Sequence, residues 1–155
     1  MLFLLFHIGK DRYALEARNV VEVVPLLEPR KIPHSPPGLA GLVNYRGQAV
    51  PAVDLSFLAL GTPAVEKLST RIIILRCVDE TGQPKLVGLI AEQTTEVFRG
   101  NPEEFVFTGL EPSARPFDGP VLMAPEGPIQ LISGDKLIQH SVRKLALELA
   151  PTAAS

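Results

Sequence analysis

Residues 39–55 leave the chain little choice but a hairpin. Leu39–Asn44 and Gln48–Asp54 are two apolar arms, and Tyr45-Arg46-Gly47-Gln48 turns the chain between them. Gly47 supplies the positive φ that so tight a bend demands. The approach, Pro33-His34-Ser35-Pro36-Pro37-Gly38, is stiffened by three prolines. Arg46 is then held out on a short rigid arm, with a forked donor suited to a partner's carboxylate. That geometry suits docking a protein better than turning over a substrate.

The same punctuation runs along the whole chain, where 15 prolines and 12 glycines interrupt short apolar runs. This pattern predicts a mainly β chain, as an all-β barrel or sandwich. Leu2–Ile8 reads as a strand, Gly9-Lys10-Asp11 as a turn and Arg12–Leu15 as the returning strand, with one helical turn over Glu16–Asn19. Val20–Leu27 is valine-rich and strand-like, Asp54–Gly61 a short helix stopped by glycine, and Thr62–Ser69 a linking loop. Arg71–Val78 and Leu86–Glu92 form a second hairpin around Asp79–Pro84, continued by Thr94–Phe98. Asn101–Ala114 is less regular, and Val121–Ala124 and Ile129–Ile132 flank the turn Pro125-Glu126-Gly127-Pro128. Over Gln139–Leu149, apolar residues at Val142, Leu145, Ala146 and Leu149 take helical spacing. Residues 151–155 are expected to be a flexible tail. No internal repeat of fixed period is visible.

Composition removes several function classes. At 155 residues and 46% hydrophobic, the chain can bury a real interior, as one compact unit or as two small lobes sharing a core. A net charge of -2 without a basic block, and aromatics limited to 7 Phe and 2 Tyr, argue against a nucleic-acid surface. No stretch reaches the ~18 apolar residues of a membrane span. Met1–Ile8 lacks the basic leader and small-residue cleavage site of a signal peptide. The single cysteine, Cys77, forbids an internal disulfide and fits a reducing compartment. The expectation is a soluble cytoplasmic protein that does not insert into a membrane.

Catalytic signatures are absent: no P-loop, no dinucleotide fingerprint and no nucleophile elbow. His7, His34 and His140 have no metal-ligand spacing. Cys77 lies in an apolar strand and reads as a buried, inert thiol. Glu103-Glu104 reads as a solvated pair near a turn. No cofactor or metal is expected.

The surface signals are stronger. Strict alternation in Val20–Val24 puts Val20, Glu22 and Val24 on one face and Val21 and Val23 on the other. If Val21 and Val23 point inward, Val20 and Val24 flank Glu22 as an apolar patch with a charged centre, which suggests a docking surface. The competing reading is a covered strand with Glu22 paired internally. Arg46 likewise has two readings, a solvated turn arginine or a hot spot buried against a partner.

These residues resemble the CheW-like family of bacterial chemosensory coupling proteins. The resemblance is carried by Phe6-x-x-Gly9 with Tyr13-Ala14-Leu15, by Val20-x-Glu22-Val23, and by Pro33–Leu55. Val87-Gly88-Leu89-Ile90 with Thr95-Glu96-Val97, and Ile129–Ile132 with Asp135–Ile138, extend it. The resemblance implies two packed SH3-like, five-stranded β-barrel lobes with a C-terminal helix, forming a single domain over residues 1–150. One lobe would span about 12–67, the other about 1–11 plus 68–150. It also implies a non-catalytic adaptor between the regulatory domain of a CheA-type histidine kinase and the cytoplasmic tip of methyl-accepting chemotaxis receptors. Partner contacts would fall on Arg46, with Asn44 and Tyr45 beside it, and on Val20, Glu22 and Val24. The chain departs from the family pattern at Ala91-Glu92, at Ser133-Gly134 and at Tyr45, where leucine is common. These changes would suit a non-flagellar pathway. The alternatives are a β-barrel enzyme or small-molecule binder whose site converges only in space, favoured by a deep pocket holding two histidines, and a nucleic-acid-binding barrel.

Overall fold

The computed structural model describes residues 1–106, 119–133 and 140–153, the last segment without the side chains of 140–143. Its strands are β1 (Leu2–Ile8), β2 (Asp11–Glu16), β3 (Val20–Pro25), β4 (Leu39–Tyr45), β5 (Gln48–Asp54), β6 (Arg71–Val78), β7 (Pro84–Arg99), β8 (Val121–Ala124) and β9 (Gly127–Ile132). Among the described residues two α-helices join them, α1 (Leu55–Leu60) and α2 (His140–Leu149). Single 3-10 turns cover Ala17–Asn19 and Pro102–Glu104. The fold is mainly β, as the punctuation of the sequence predicts. Asp135–Ile138 of the expected closing segment, and 107–114 of the irregular stretch, lie outside the described residues.

The expected closed barrels do not form. The strands make one open nine-stranded sheet, in the order β3-β6-β7-β1-β2-β9-β8, with β4 and β5 joined through a β5–β7 pairing. Its continuity comes from β7, which is 16 residues long. The first part of β7 pairs with β6 and, in parallel, with β5; the second part pairs with β1. Between the two parts the strand bends at Gln93, a non-glycine residue at φ 48°. Thr94 secures the bend: its amide donates to Ser69 O and its hydroxyl to Ala91 O, both at 2.9 Å.

Two groups of pairings result, and they share one pattern. The first runs β3-β6-β7-β5-β4 and the second β7-β1-β2-β9-β8, each antiparallel, antiparallel, parallel, antiparallel. Even the gap between end strands is bridged alike, by Arg30 on Leu42 in the first group and by Val106 on Val121 in the second. Among the described residues, closure stops at these single bridges. In the first group Pro25, Pro29 and Pro33 lack the N–H groups that a continued ladder would need. The groups also do not follow the expected lobe boundaries. The Gly9-Lys10 turn is too short to part β1 from β2, and the turn over residues 79–83 keeps β6 beside β7.

Among the described residues, three apolar clusters fill the space. One contains Tyr45, Val50, Ile72 and Ile74 inside the first group. Another gathers Phe3, Leu5, Phe105 and Ile129 inside the second. The largest lies between them, with Phe6, Ile73, Leu75, Leu89 and residues of α2. Strands β1 and β6 feed clusters on both faces, which is why their sequences are continuous apolar runs rather than alternating ones. The apolar run after Met1 is thereby explained as strand β1, buried from Phe3 to Phe6 and at Ile8. Cys77 is buried in the largest cluster, as its apolar surroundings predict.

Both helices sit near their predicted bounds. Asp54 Oδ1 caps α1 by accepting from the Phe57 amide at 3.1 Å, and Gly61 ends it in the left-handed region at φ 77°. In α2 the buried residues are Ala146 and Leu147, with Ala150 just beyond the helix, while the Leu149 side chain is exposed. The expected tail is partly ordered. Pro151 O accepts from the Leu86 amide and the Ala153 amide donates to Pro84 O, both at 3.0 Å. The chain end thus covers an edge of β7 that no other strand uses among the described residues.

Candidate functional site

The site is built on the β4–β5 hairpin. Tyr45 pairs with Gln48, which leaves Arg46 and Gly47 as a two-residue turn with φ of 50° and 83°. Positive φ at both positions is the signature of a type I′ turn, whose twist matches that of the flanking strands. Asn44 Oδ1 accepts from the Gly47 amide at 2.9 Å, so its side chain braces the turn. Arg46 tolerates an unfavourable backbone region here, and its side chain is 73% exposed.

Strand β3 brings the counter-charge. The pairing register slips between Val20 and Glu22, which oppose the consecutive residues Leu75 and Ile74. Val21 is the extra residue of a β-bulge and is exposed. The bulge breaks the alternation on which the expected Val20-Glu22-Val24 face depends. Val20 turns with Val23 toward the largest cluster. Val24 stays on the Glu22 side but packs against the Tyr45 cluster. The apolar patch centred on Glu22 is therefore absent, and Glu22 has an internal pairing instead.

Its partners are the two hairpin residues. The Tyr45 hydroxyl donates to Glu22 Oε2 at 2.6 Å, and Arg46 Nη2 lies 3.1 Å from the same oxygen and 3.3 Å from Oε1. The guanidinium also sits 5.6 Å from the Tyr45 ring centroid, within cation–π range. The Tyr45 hydrogen bond, assisted by the Arg46 charge and opposed by burial, holds the Glu22 carboxyl below its ordinary range. The same hydrogen bond, with burial, raises the Tyr45 phenol above its ordinary value. Tyr45 itself is 92% buried, so a fixed aromatic body orients two charged tips.

Asn44, Tyr45, Arg46 and Glu22 thus form one cluster across two strands, while Val20 and Val24 support it from the interior. The Tyr45–Glu22 contact was not foreseen from the residues. The one local signal for it was the hydroxyl of Tyr45 beside the turn.

Elsewhere, Arg12 Nη2 donates to Gly127 O at 2.7 Å and Nη1 lies 3.5 Å from Glu126. A groove of about 660 Å³ is lined by residues that include Leu26, Leu39, Phe57, Ala64, Glu66 and Ile90, with no histidine among them. Among the described residues, no group of three or more His, Cys, Asp or Glu could hold a metal ion. No helix among them is long and apolar enough to cross a membrane.

With this geometry in hand, the sequence model of the CheW-like domain matches residues 2–142. The chain belongs to the CheW-like domain family. It is 29% identical over 98 residues to the chemotaxis protein CheW of Helicobacter pylori, covering 63% of this chain and 56% of that protein. It is 27% identical over 92 residues to a probable chemotaxis protein CheW of Rhizobium etli, covering 59% of this chain and 56% of the relative. The matches therefore span little more than half the length of these curated CheW proteins. In three dimensions the chain resembles the crystal structure of the scaffolding protein TtCheW from Thermoanaerobacter tengcongensis. That likeness has a TM-score of 0.73 at 24% identity and covers 91% of this chain and 89% of the other. It establishes a shared CheW fold.

Proposed function

We propose that this CheW-like chain is a non-catalytic cytoplasmic adaptor that couples methyl-accepting chemoreceptors to a CheA-type histidine kinase in a chemosensory pathway. The observation that carries the reading is the Glu22–Tyr45–Arg46 cluster. An exposed arginine held in a strained turn contributes little to stability through an exposed ion pair. Its orientation by a buried tyrosine and a carboxylate is better understood as preorganisation for a partner. Arg46 offers donors to a carboxylate, and Glu22 can exchange its internal pair for an external one. Asn44 acts by fixing the turn, Tyr45 by aligning the two charges, and Val20 and Val24 by seating β3. The kinase regulatory domain and the receptor tip then engage separate faces of one rigid body, so that a shift at one is felt at the other. The departures at Tyr45 and Ala91-Glu92 favour a non-flagellar pathway.

Co-sedimentation with receptor cytoplasmic fragments tests this. Arg46→Glu places two carboxylates face to face at Glu22 and is expected to weaken receptor binding without changing the circular-dichroism spectrum. Unchanged binding removes Arg46 from the proposed role.

A further inference from the structure

The chain's last described residues touch the same core that positions the docking cluster. After α2, Pro151 and Ala153 bond to β7 through the Leu86 amide and Pro84 O, and Gln83 Nε2 donates to Thr152 Oγ1 at 3.1 Å. Lys85 and Thr152 form an antiparallel bridge. On its other side this stretch of β7 pairs with β6, while the parallel pairing to β5 begins only at Gly88. Without the C-terminal segment, the edge from Pro84 to Leu86 would be bare and able to receive another extended chain.

The side chains add a second link. Ala153 is buried in the cluster that contains Tyr45, Val43 and Val50, with Val24 packed against it. Ala150, three residues earlier, is buried in the larger cluster between the two groups of strands. The segment therefore runs from one core to the other, held at the second, among the described residues, by two backbone hydrogen bonds, the exposed Gln83–Thr152 side-chain bond and one small buried side chain. Contacts so few can open without unfolding the whole domain.

We infer that Pro151–Ala153 is a releasable latch that seals the Tyr45 cluster and so keeps the Glu22–Tyr45–Arg46 group in its docking arrangement. Release uncovers both the β7 edge and the cluster floor, loosening Tyr45 and the hydrogen bond that aligns the two charges. The inference rests on the geometry of the site and not on the identity of its partners. Its readouts are accordingly taken on the isolated protein.

Two variants test it, a chain ending at Ala150 and the full-length Ala153→Pro, which removes the amide that donates to Pro84 O and places a ring at the buried position. Hydrogen exchange reports the Leu86 amide, and ¹³C-labelled tyrosine NMR follows the two phenols, with Tyr45→Phe assigning the signals. In both variants Leu86 is expected to exchange at least about tenfold faster. The Tyr45 titration midpoint is expected to move down toward that of free tyrosine. An unchanged Leu86 rate overturns the latch, and so does a faster Leu86 with an unmoved Tyr45. Loss of the fold in both variants, seen by circular dichroism, also overturns it, because the segment would then be core. Failure of receptor binding in the wild-type chain would leave these outcomes unaffected.

Discussion

Alanine at Gly41 and alanine at Gly47 should have very different consequences, although both glycines hold a positive φ on the same hairpin. Gly41 has φ 142°, a region that residues with a side chain rarely enter. Forcing one there costs about 1–3 kcal/mol. A Cβ at Gly41 would also lie 2.3 Å from Arg30 O and 2.7 Å from its carbonyl carbon. That oxygen accepts from the Leu42 amide at 2.9 Å, and the Arg30 amide donates to Leu42 O at 2.8 Å. Separating the strands breaks both bonds, at about 0.5–1.5 kcal/mol each. The total for Gly41→Ala is then about 2–6 kcal/mol, with a centre near 4. At Gly47, φ is 83° and an added Cβ meets nothing within 4 Å. Only left-handed strain of about 1–2 kcal/mol remains. For a chain of this size each kcal/mol lowers Tm by about 2–4 °C. Gly41→Ala should therefore melt about 4–24 °C below wild type, with a centre near 12 °C, and Gly47→Ala about 2–8 °C below. Calorimetry measures the two values, and hydrogen exchange at Leu42 should accelerate only in Gly41→Ala. Equal Tm losses, or a protected Leu42 amide in Gly41→Ala, would refute the reading that the close Arg30–Leu42 bridge, which spans the gap between the end strands, depends on glycine at position 41.

Other expectations follow from the core and the charges. Phe6 is fully buried and stacks 6.0 Å from Tyr13, so Phe6→Ala should cost about 3–5 kcal/mol and lower Tm by roughly 6–20 °C. A change under about 2 °C would show that β1 is dispensable. The Glu22–Tyr45 hydrogen bond should stabilise the fold over a defined pH window. The Glu22 pKa is lowered from 4.5, so its contribution is present above that value and fades as pH falls through the lowered one. The Tyr45 pKa is raised from 10.0, so its contribution is present below that value and fades as pH rises through the raised one. The Tm gap between wild type and Tyr45→Phe should be constant between these limits and shrink outside both. A gap that grows on acidification would contradict the pairing. Glu22→Lys should weaken partner binding as Arg46→Glu does, and the double exchange Glu22→Arg with Arg46→Glu should restore the fold's internal pair without restoring binding. Full rescue by the double variant would mean that the pair serves stability alone.

The hairpin was legible because its signal is local. Apolar arms, a glycine at the turn and proline before it fix both strands and the bend without reference to anything distant. The same holds for the Asp54 and Gly61 helix ends. What local patterns could not reveal was set by register. The bulge at Val21 moves Val20 to the opposite face from Glu22, and no residue type in Val20–Val24 marks it, since each valine suits either face. The closed barrels failed for a related reason. Continuity through β7 depends on the bend at Gln93, which is neither glycine nor asparagine and gives no turn signal. The matching pattern of the two strand groups was invisible as a periodic repeat. In the second group the chain order is permuted, with β1 and β2 supplied from the N-terminus, and the matching strands share topology rather than sequence. The ordered chain end was missed because the sequence of residues 151–153 carries only small and breaking residues. Their order comes from an edge of β7 more than sixty positions away.

The central claim is that this domain bridges two larger signalling proteins. Its most direct test is a three-component sedimentation assay with receptor-bearing vesicles, the regulatory domain of a CheA-type kinase and this chain. The kinase fragment should pellet with the vesicles only when the chain is added, and Arg46→Glu should abolish that recruitment while leaving kinase binding in solution intact. Equal pelleting of the kinase fragment with and without the chain would contradict the account.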